Sequence, residues 1–201
     1  MGTRIEIRPV GRPRNDEATG AILSTMLRLL AERGYHGAST GALAAAARVS
    51  KATIYRRWPS KFALVAAAIQ HGLALSAHAV PLTGDVRADL VGVMSAKMAA
   101  LGQGLLGPAI RAVVSEAAQE PELSTALRRM TDQLRDAGPL HGLVVRARHE
   151  GLLPPDADIG LTLDLLLGPP FFQLLVLQSP PHPQQARDLV DRVLLPRPHV
   201  A

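Results

Sequence analysis

The stretch that decides the fold is residues 34–61, GYHGASTGALAAAARVSKATIYRRWPSK. Ser39 or Thr40 can cap a short helix over residues 41–47, because a side-chain hydroxyl can accept a hydrogen bond from a free N–H group of the first turn. This helix is only about two turns long, and its alanine-rich surface would let a neighbouring helix approach closely.

A second short helix follows directly. Val49 enters a tight break, Ser50 provides another cap, and residues 51–58 form a helix that Pro59 ends. Two short helices joined by a turn of three or four residues predict a helix-turn-helix unit.

Longer helices are predicted on both sides of this unit. Apolar residues recur at the helical period over residues 16–33, with Gly34 as the C-terminal cap, and a long apolar helix covers residues 61–78, ahead of Pro81. Proline and glycine divide the remainder into helices at about 86–106, 108–119, 121–137, 139–153, 156–178 and 183–195. With no convincing strand pattern, the fold class is all-α with about ten helices.

Composition narrows the class of protein. Hydrophobic residues make up 47% of the 201 residues and charged residues 19%, which is enough apolar surface for a core. Without cysteine there is no disulfide framework and no thiolate site. No segment resembles a signal peptide, and no apolar run reaches the roughly 18 residues of a membrane span, so we expect a cytoplasmic location and no membrane association.

Positive charge is concentrated at one end of the chain. Residues 1–61 hold 11 of the 22 Lys and Arg residues but only 4 of the 17 Asp and Glu residues, whereas residues 62–201 carry a small negative excess. A basic head on a neutral body is typical of proteins that bind nucleic acid. A solvated basic surface is the alternative explanation.

The combination of residues in the head resembles the DNA-binding domain of the TetR family of bacterial transcription regulators. The resemblance covers roughly residues 16–64. It rests on these residues: Gly34, Tyr35, Ser39, Leu43, Ala44, Ala46, Ala47, Val49, Ser50, Lys51, Thr53, Tyr55, Trp58, Pro59, Ser60 and Lys61. It implies a basic N-terminal arm (1–15), a three-helix DNA-binding head (16–62) and a larger helical body for effector binding and dimerisation (63–201).

The third short helix is predicted to read DNA. A recognition helix enters the major groove by its N-terminal end, where Ser50 and Lys51 stand; Ala52 permits close approach, and Thr53 offers a hydroxyl and a methyl group to base edges. By the resemblance, Tyr55 contacts phosphate and the variable positions Arg56 and Arg57 contact bases or phosphates, and Ser39, Thr40 and Lys61 are phosphate clamps. Ser50 also fits a simple cap, and the arginine pair also fits a solvated face.

Two further basic features are candidates for DNA contacts. Arg48 stands in the turn where the family usually has glycine, and a left-handed conformation there would strain the backbone by about 1 kcal/mol. Arg12 and Arg14 flank Pro13 in a segment that resembles arms that insert arginine into narrow minor grooves. A disordered tail is an equal alternative for this segment.

The body is predicted to contain a dimer interface and an effector pocket. By the resemblance, helices 156–178 and 183–195 pair with those of a second subunit, and they hold more leucine than one stripe can bury; the candidate contacts are Leu163, Leu167, Leu174, Leu175 and Val190. Methionine and aromatic side chains adapt to apolar ligands, so the candidate pocket residues are Met94, Met98, Leu101, Phe171 and Phe172. Ordinary core packing is the alternative for each of them.

These features together predict a homodimeric regulator of pseudo-palindromic double-stranded DNA, most simply a repressor released by a small apolar effector. The alternatives are a ligand-independent regulator and a small-molecule binding protein with a vestigial head. An enzyme is not expected, because the histidines lack metal-ligand spacing and no phosphate loop or nucleophile motif is present. No catalytic residue, metal site or cofactor is expected.

Overall fold

The computed structural model describes residues 13–78 and 80–194, and within them it contains helices and no strand. This confirms the all-α class. The helices are α1 (Pro13–Gly37), α2 (Thr40–Ala47), α3 (Lys51–Arg57), α4 (Lys61–His78), α5 (Val86–Gln103), α6 (Leu106–Ala117), α7 (Pro121–Ala137), α8 (Pro139–His149), α9 (Ile159–Leu175) and α10 (Gln185–Leu194).

Helix boundaries follow the proline, glycine and capping signals closely. Helices α4 and α7 have the predicted bounds, and α2 begins at Thr40 with Ser39 as its cap. Helix α1 starts at Pro13, three residues earlier than expected, because proline fits the first turn of a helix without losing a hydrogen bond. Gly34 breaks the regular helix with φ 69° and ψ −178°, a conformation that is open only to glycine.

One hydrophobic core joins the head to part of the body. It contains Met26 and Leu30 of α1, Leu43 of α2 and Ile54 of α3, together with buried residues of α4, α6, α7 and Leu174 of α9. Helix α1 packs more extensively on α6 than on either of the short helices. The boundary expected at residue 62 does not coincide with a gap between two separate cores.

A second core lies among α5, α8, α9 and α10. Helix α10 is apolar on one side only, and it places Ala186, Val190 and Leu194 against α5 and α9 of the same chain. Its outer side carries Arg187, Asp188 and Arg192. The apolar residues of α10 are therefore already buried within one subunit.

Helix α5 contributes to both cores, with Leu101 in the first and Met94 and Met98 in the second, and it is followed by a sharp turn into α6. The two helices meet at 72°, and a side chain at Gly107 would collide with the carbonyl group of Leu101. No single described helix is both long enough and apolar enough to cross a membrane. Among the described residues, only the bent pair α5 and α6 taken together has the length and composition of a membrane span.

Candidate DNA interface and effector cavity

The turn between α2 and α3 has a left-handed residue, Arg48, at the position where the family usually has glycine. Arg48 has φ 54° and ψ 43° and caps α2, and the next amide, of Val49, bonds to the Ala44 carbonyl at 3.0 Å. An L-residue in this conformation is strained by about 1 kcal/mol. The arginine side chain itself is exposed, so it is available to a polyanion.

Four apolar side chains hold α2 and α3 against α1. Leu43 and Ile54 are completely buried, and Val49 and Trp58 are partly buried against the same core. Because α3 is anchored by one side, its opposite side is left to solvent.

The exposed side of α3 carries most of the predicted DNA-reading residues. Ser50, Lys51, Ala52, Tyr55 and Arg56 are exposed, whereas Thr53 and Arg57 are half-buried. The Ser50 hydroxyl oxygen accepts a hydrogen bond from the Thr53 amide at 3.1 Å and lies 2.9 Å from the Thr53 hydroxyl. Ser50 is therefore an N-cap, and the Thr53 hydroxyl is engaged within the helix.

Polar groups from two helices meet at the start of α2. Ser39 caps this helix by accepting a bond from the Ala42 amide, and the Tyr55 hydroxyl donates to the Thr40 hydroxyl at 3.4 Å. The Lys51 ammonium lies beside Gly41, 3.7 Å from the position that a Cβ atom would occupy on this glycine. Free amides and the helix dipole favour an anion at such a position. We call Thr40, Lys51 and Tyr55 the phosphate cluster.

Lys61 has a different environment from that expected of a phosphate clamp. Its ammonium group donates to the Tyr35 carbonyl at 2.6 Å and lies 3.7 Å from the centre of the Tyr35 ring. Burial lowers the pKa of Lys61, with an opposing effect from Glu116. Burial, with Glu120 and Glu116 nearby, raises the pKa of Tyr35 to about 12. Lys61 therefore fastens α4 to the end of α1, and only its remaining donors can face DNA.

The same region joins the head to the body. The His36 ring lies 3.0 Å from the Glu116 carboxylate, so the end of α1 touches the end of α6. This contact and the α1–α6 packing make α6 the main neighbour of the head in the body.

The basic arm is only partly described. Arg12 lies outside the described residues. The backbone of Arg14 belongs to the first turn of α1 and not to a separate arm.

Two small apolar cavities lie side by side in the body and share walls at Leu73, Met130, Thr131 and Phe171. The first, about 120 Å³, is also lined by Ile110 and Val113 of α6. The second, about 150 Å³, lies among α4, α5, α7, α8 and α9. Each is smaller than the roughly 300 Å³ of a typical ligand site, so a ligand of ordinary size would require side chains on the shared wall to move.

Of the predicted pocket residues, only Phe171 lies at a cavity. Phe171 lines both cavities, but Met94, Met98 and Leu101 line neither and are instead packed within the cores, with 0%, 1% and 3% exposure. Phe172 lies on the outer side of α9 and is 53% exposed. Methionine and phenylalanine serve equally well as core residues, and composition alone does not separate the two roles.

The predicted dimer contacts also need correction. Leu163, Leu174 and Val190 are buried within their own subunit, and Leu167 and Leu175 are partly buried against the same cores. The exposed apolar residues of α9, together with its C-cap residue Val176, occupy a different side of the helix and are spaced by four, seven and four residues. We call this set the outer stripe: Leu161, Leu165, Phe172 and Val176.

Sequence reasoning missed three charged residues on the wall of the second cavity, namely Lys97, Arg135 and Asp164. The Arg135 guanidinium pairs with the Asp164 carboxylate at 2.6 Å. The position of Lys97 did carry a signal, since it is the only lysine after residue 61 and stands between two buried methionines of an apolar helix.

Comparisons with known proteins cover both parts of the chain. A family model described as bacterial regulatory proteins, tetR family, matches residues 22–68, and one for the tetracyclin repressor-like C-terminal domain matches residues 80–193. The chain is 36% identical to an uncharacterized HTH-type transcriptional regulator of Mycobacterium tuberculosis, over 96% of this chain and 94% of the relative. It is 34% identical to a DNA-binding transcriptional repressor TetR of Mycobacteroides abscessus, over 76% and 79%. Among solved structures, the TetR family transcription regulator SCO0332 superimposes with a TM-score of 0.69, at 29% identity, over 89% of this chain and 97% of that one.

Proposed function

Because the chain belongs to the TetR family of DNA-binding transcription regulators, we propose that it is a homodimeric repressor that leaves its operator when a small apolar effector fills the two cavities. The observation that carries the proposal is the position of α6, which lines a cavity with Ile110 and Val113 and touches the head through Glu116. The similar protein of Mycobacteroides abscessus is named a repressor, which supports the direction of control.

DNA reading is assigned to the exposed side of α3 and to the phosphate cluster. Lys51, Tyr55 and Arg56 have the greatest freedom to reach DNA, since they are exposed and lie on one short helix. Phosphate contacts set the register, whereas contacts with base edges select the sequence. Arg56 is therefore the leading candidate for base reading, and Lys51 and Tyr55 for phosphate.

Dimerisation is assigned to the outer stripe of α9. Its four side chains are between 52% and 63% exposed in the single subunit, although all of them are large and apolar. A continuous apolar face of this kind is typical of a protein interface. A two-fold axis through it would pair two heads, and a pseudo-palindromic operator would present half-sites about 34 Å apart.

Communication between effector and DNA is assigned to α6. Ile110 and Val113 line the first cavity, and Glu116, about one turn further along, contacts His36 at the end of α1. A ligand that pushes on this wall would displace the end of α6 and hence α1. An effector shifts the population of DNA-binding dimers only if it binds the two arrangements with different affinity.

The small volume of each cavity favours a second candidate, a regulator that responds to no ligand. In that case the apolar lining would serve only as loosely packed core. The two candidates differ in whether any apolar ligand changes the affinity for the operator.

Selection from a random duplex library with the full-length protein tests the DNA assignment. We expect the selected duplexes to share an inverted repeat. Arg56→Ala should bind this repeat at least about tenfold more weakly than the wild type. The control Arg128→Ala, on the exposed surface of α7, should bind it with unchanged affinity. A reporter carrying the selected repeat in its promoter should be silenced when the protein is expressed. Enrichment of no common sequence, or a reporter that is activated, would overturn the proposal.

A further inference from the structure

Lys97 is in an unusual position for a lysine. It lies in the middle of α5, between the buried residues Met94 and Met98 in the chain, and it is half-buried. No hydrogen bond or ion pair links it to any described residue. A half-buried ammonium group beside apolar side chains loses part of its hydration, and no partner in the described part of the chain offsets that loss here.

The cavity beside Lys97 is apolar on nearly all sides. Large apolar side chains line much of its wall, and Lys97 belongs to the same wall; the apolar side chains include Leu73, Met130, Leu140, Leu163, Leu167 and Phe171.

The other two charged residues on this wall neutralise each other. The guanidinium of Arg135 and the carboxylate of Asp164 lie 2.6 Å apart at the more exposed side of the cavity. Of the described residues that line the cavity, Lys97 is therefore the one with an unbalanced charge.

Burial is the cause that lowers the pKa of Lys97 below its ordinary value. This direction means that the surroundings do not compensate the ammonium charge. An anion placed against Lys97 inside the cavity would supply that compensation, and the interaction would be strong because little water is present to weaken it.

We infer that the second cavity takes an amphiphile with an apolar chain and one terminal carboxylate, which pairs with the Lys97 ammonium while the chain lies among the leucines and Phe171. This inference rests on the proposed control of operator binding by an effector, and it names the chemical class of that effector. An elongated chain could extend into the first cavity across the shared wall at Met130 and Phe171. There it would meet the wall of α6, which contacts the head.

Isothermal titration of the full-length protein with octanoate, and separately with 1-octanol, tests the inference. Octanoate should bind about 10- to 100-fold more tightly than the alcohol, because a charge-assisted bond replaces an uncompensated charge. Lys97→Met removes the charge at similar size and should abolish this preference, while Lys97→Arg should retain most of it. Arg128→Met removes a cation from the outer surface of α7 and should change neither affinity.

Each outcome distinguishes the ligand assignment from the wider proposal. Equal affinity for octanoate and 1-octanol, unchanged octanoate affinity in a folded Lys97→Met, or no binding of octanoate at all would overturn the assignment. Because Lys97→Met removes an unpaired charge, it should melt no lower than the wild type, so loss of binding cannot be ascribed to unfolding. If octanoate binds through Lys97 but leaves operator affinity unchanged, the carboxylate site at Lys97 is supported and the proposed control of operator binding by an effector is refuted.

Discussion

Replacing Leu165 by glutamate should separate the two subunits of the proposed dimer without unfolding either of them. Complete burial of a leucine side chain stabilises a protein by about 1.5–3 kcal/mol. Leu165 is 52% exposed in the single subunit, so each of the two symmetric copies would gain about 1 kcal/mol on dimerisation. A glutamate in each copy would lose that gain and would also have to give up its own hydration in the interface. The free energy of dimerisation would then become less favourable by about 4 kcal/mol in total, and the dissociation constant would rise about 1,000-fold.

Two matched variants show whether the position or the mere introduction of charge is responsible. Leu174 lies on the same helix but is completely buried, so Leu174→Glu should destabilise the subunit itself by about 3–5 kcal/mol. Leu82 is 61% exposed in the loop before α5, and Leu82→Glu should leave the dimer intact.

Sedimentation equilibrium with far-ultraviolet circular dichroism distinguishes the three variants. We expect a helical monomer for Leu165→Glu, a lowered melting temperature for Leu174→Glu, and a helical dimer for Leu82→Glu. A dimeric Leu165→Glu, or a well-folded monomeric Leu174→Glu, would refute the assignment of the interface to the outer stripe. A monomeric wild type at micromolar concentration would refute the dimer.

Three further variants probe other parts of the molecule. Arg48→Gly should relieve the left-handed strain and stabilise the protein by about 1 kcal/mol, seen as a melting temperature about 2–4 °C higher, and a lower melting temperature would contradict this. Lys51→Ala should weaken specific and non-specific duplexes alike and reduce the slope of log K against log salt by about 0.9, whereas no change in slope would remove Lys51 from the phosphate cluster. Asp89 is buried and accepts bonds from the Thr83 amide and hydroxyl and the Gly84 amide, and the Thr83 amide is the main cause that lowers its pKa. The stabilisation that the Asp89 carboxylate provides should therefore be present above about pH 4 and lost as the pH falls further. Asp89→Asn should melt at a lower temperature than the wild type at neutral pH, and its melting temperature should fall less on acidification.

Local signals in the sequence determined the head almost completely. Ser39 and Ser50 cap α2 and α3 as expected, and Pro59 follows the end of α3. The left-handed conformation of Arg48 was expected from the resemblance alone, because the family usually has glycine at this position. Such features depend on contacts within a few residues of each other, and the sequence displays those directly.

The direction in which an apolar side chain points was decided only by the tertiary structure. Helix α9 has leucine on nearly every side, so periodicity does not reveal that Leu163 and Leu174 face the cores whereas Leu161 and Leu165 face outward. The same holds for Lys61, whose position at the start of α4 does not reveal that its ammonium group donates to the Tyr35 carbonyl near the end of α1. Side-chain direction in a nearly uniform apolar helix depends on which neighbouring helices cover it, and that is settled by packing between segments that lie far apart in the chain.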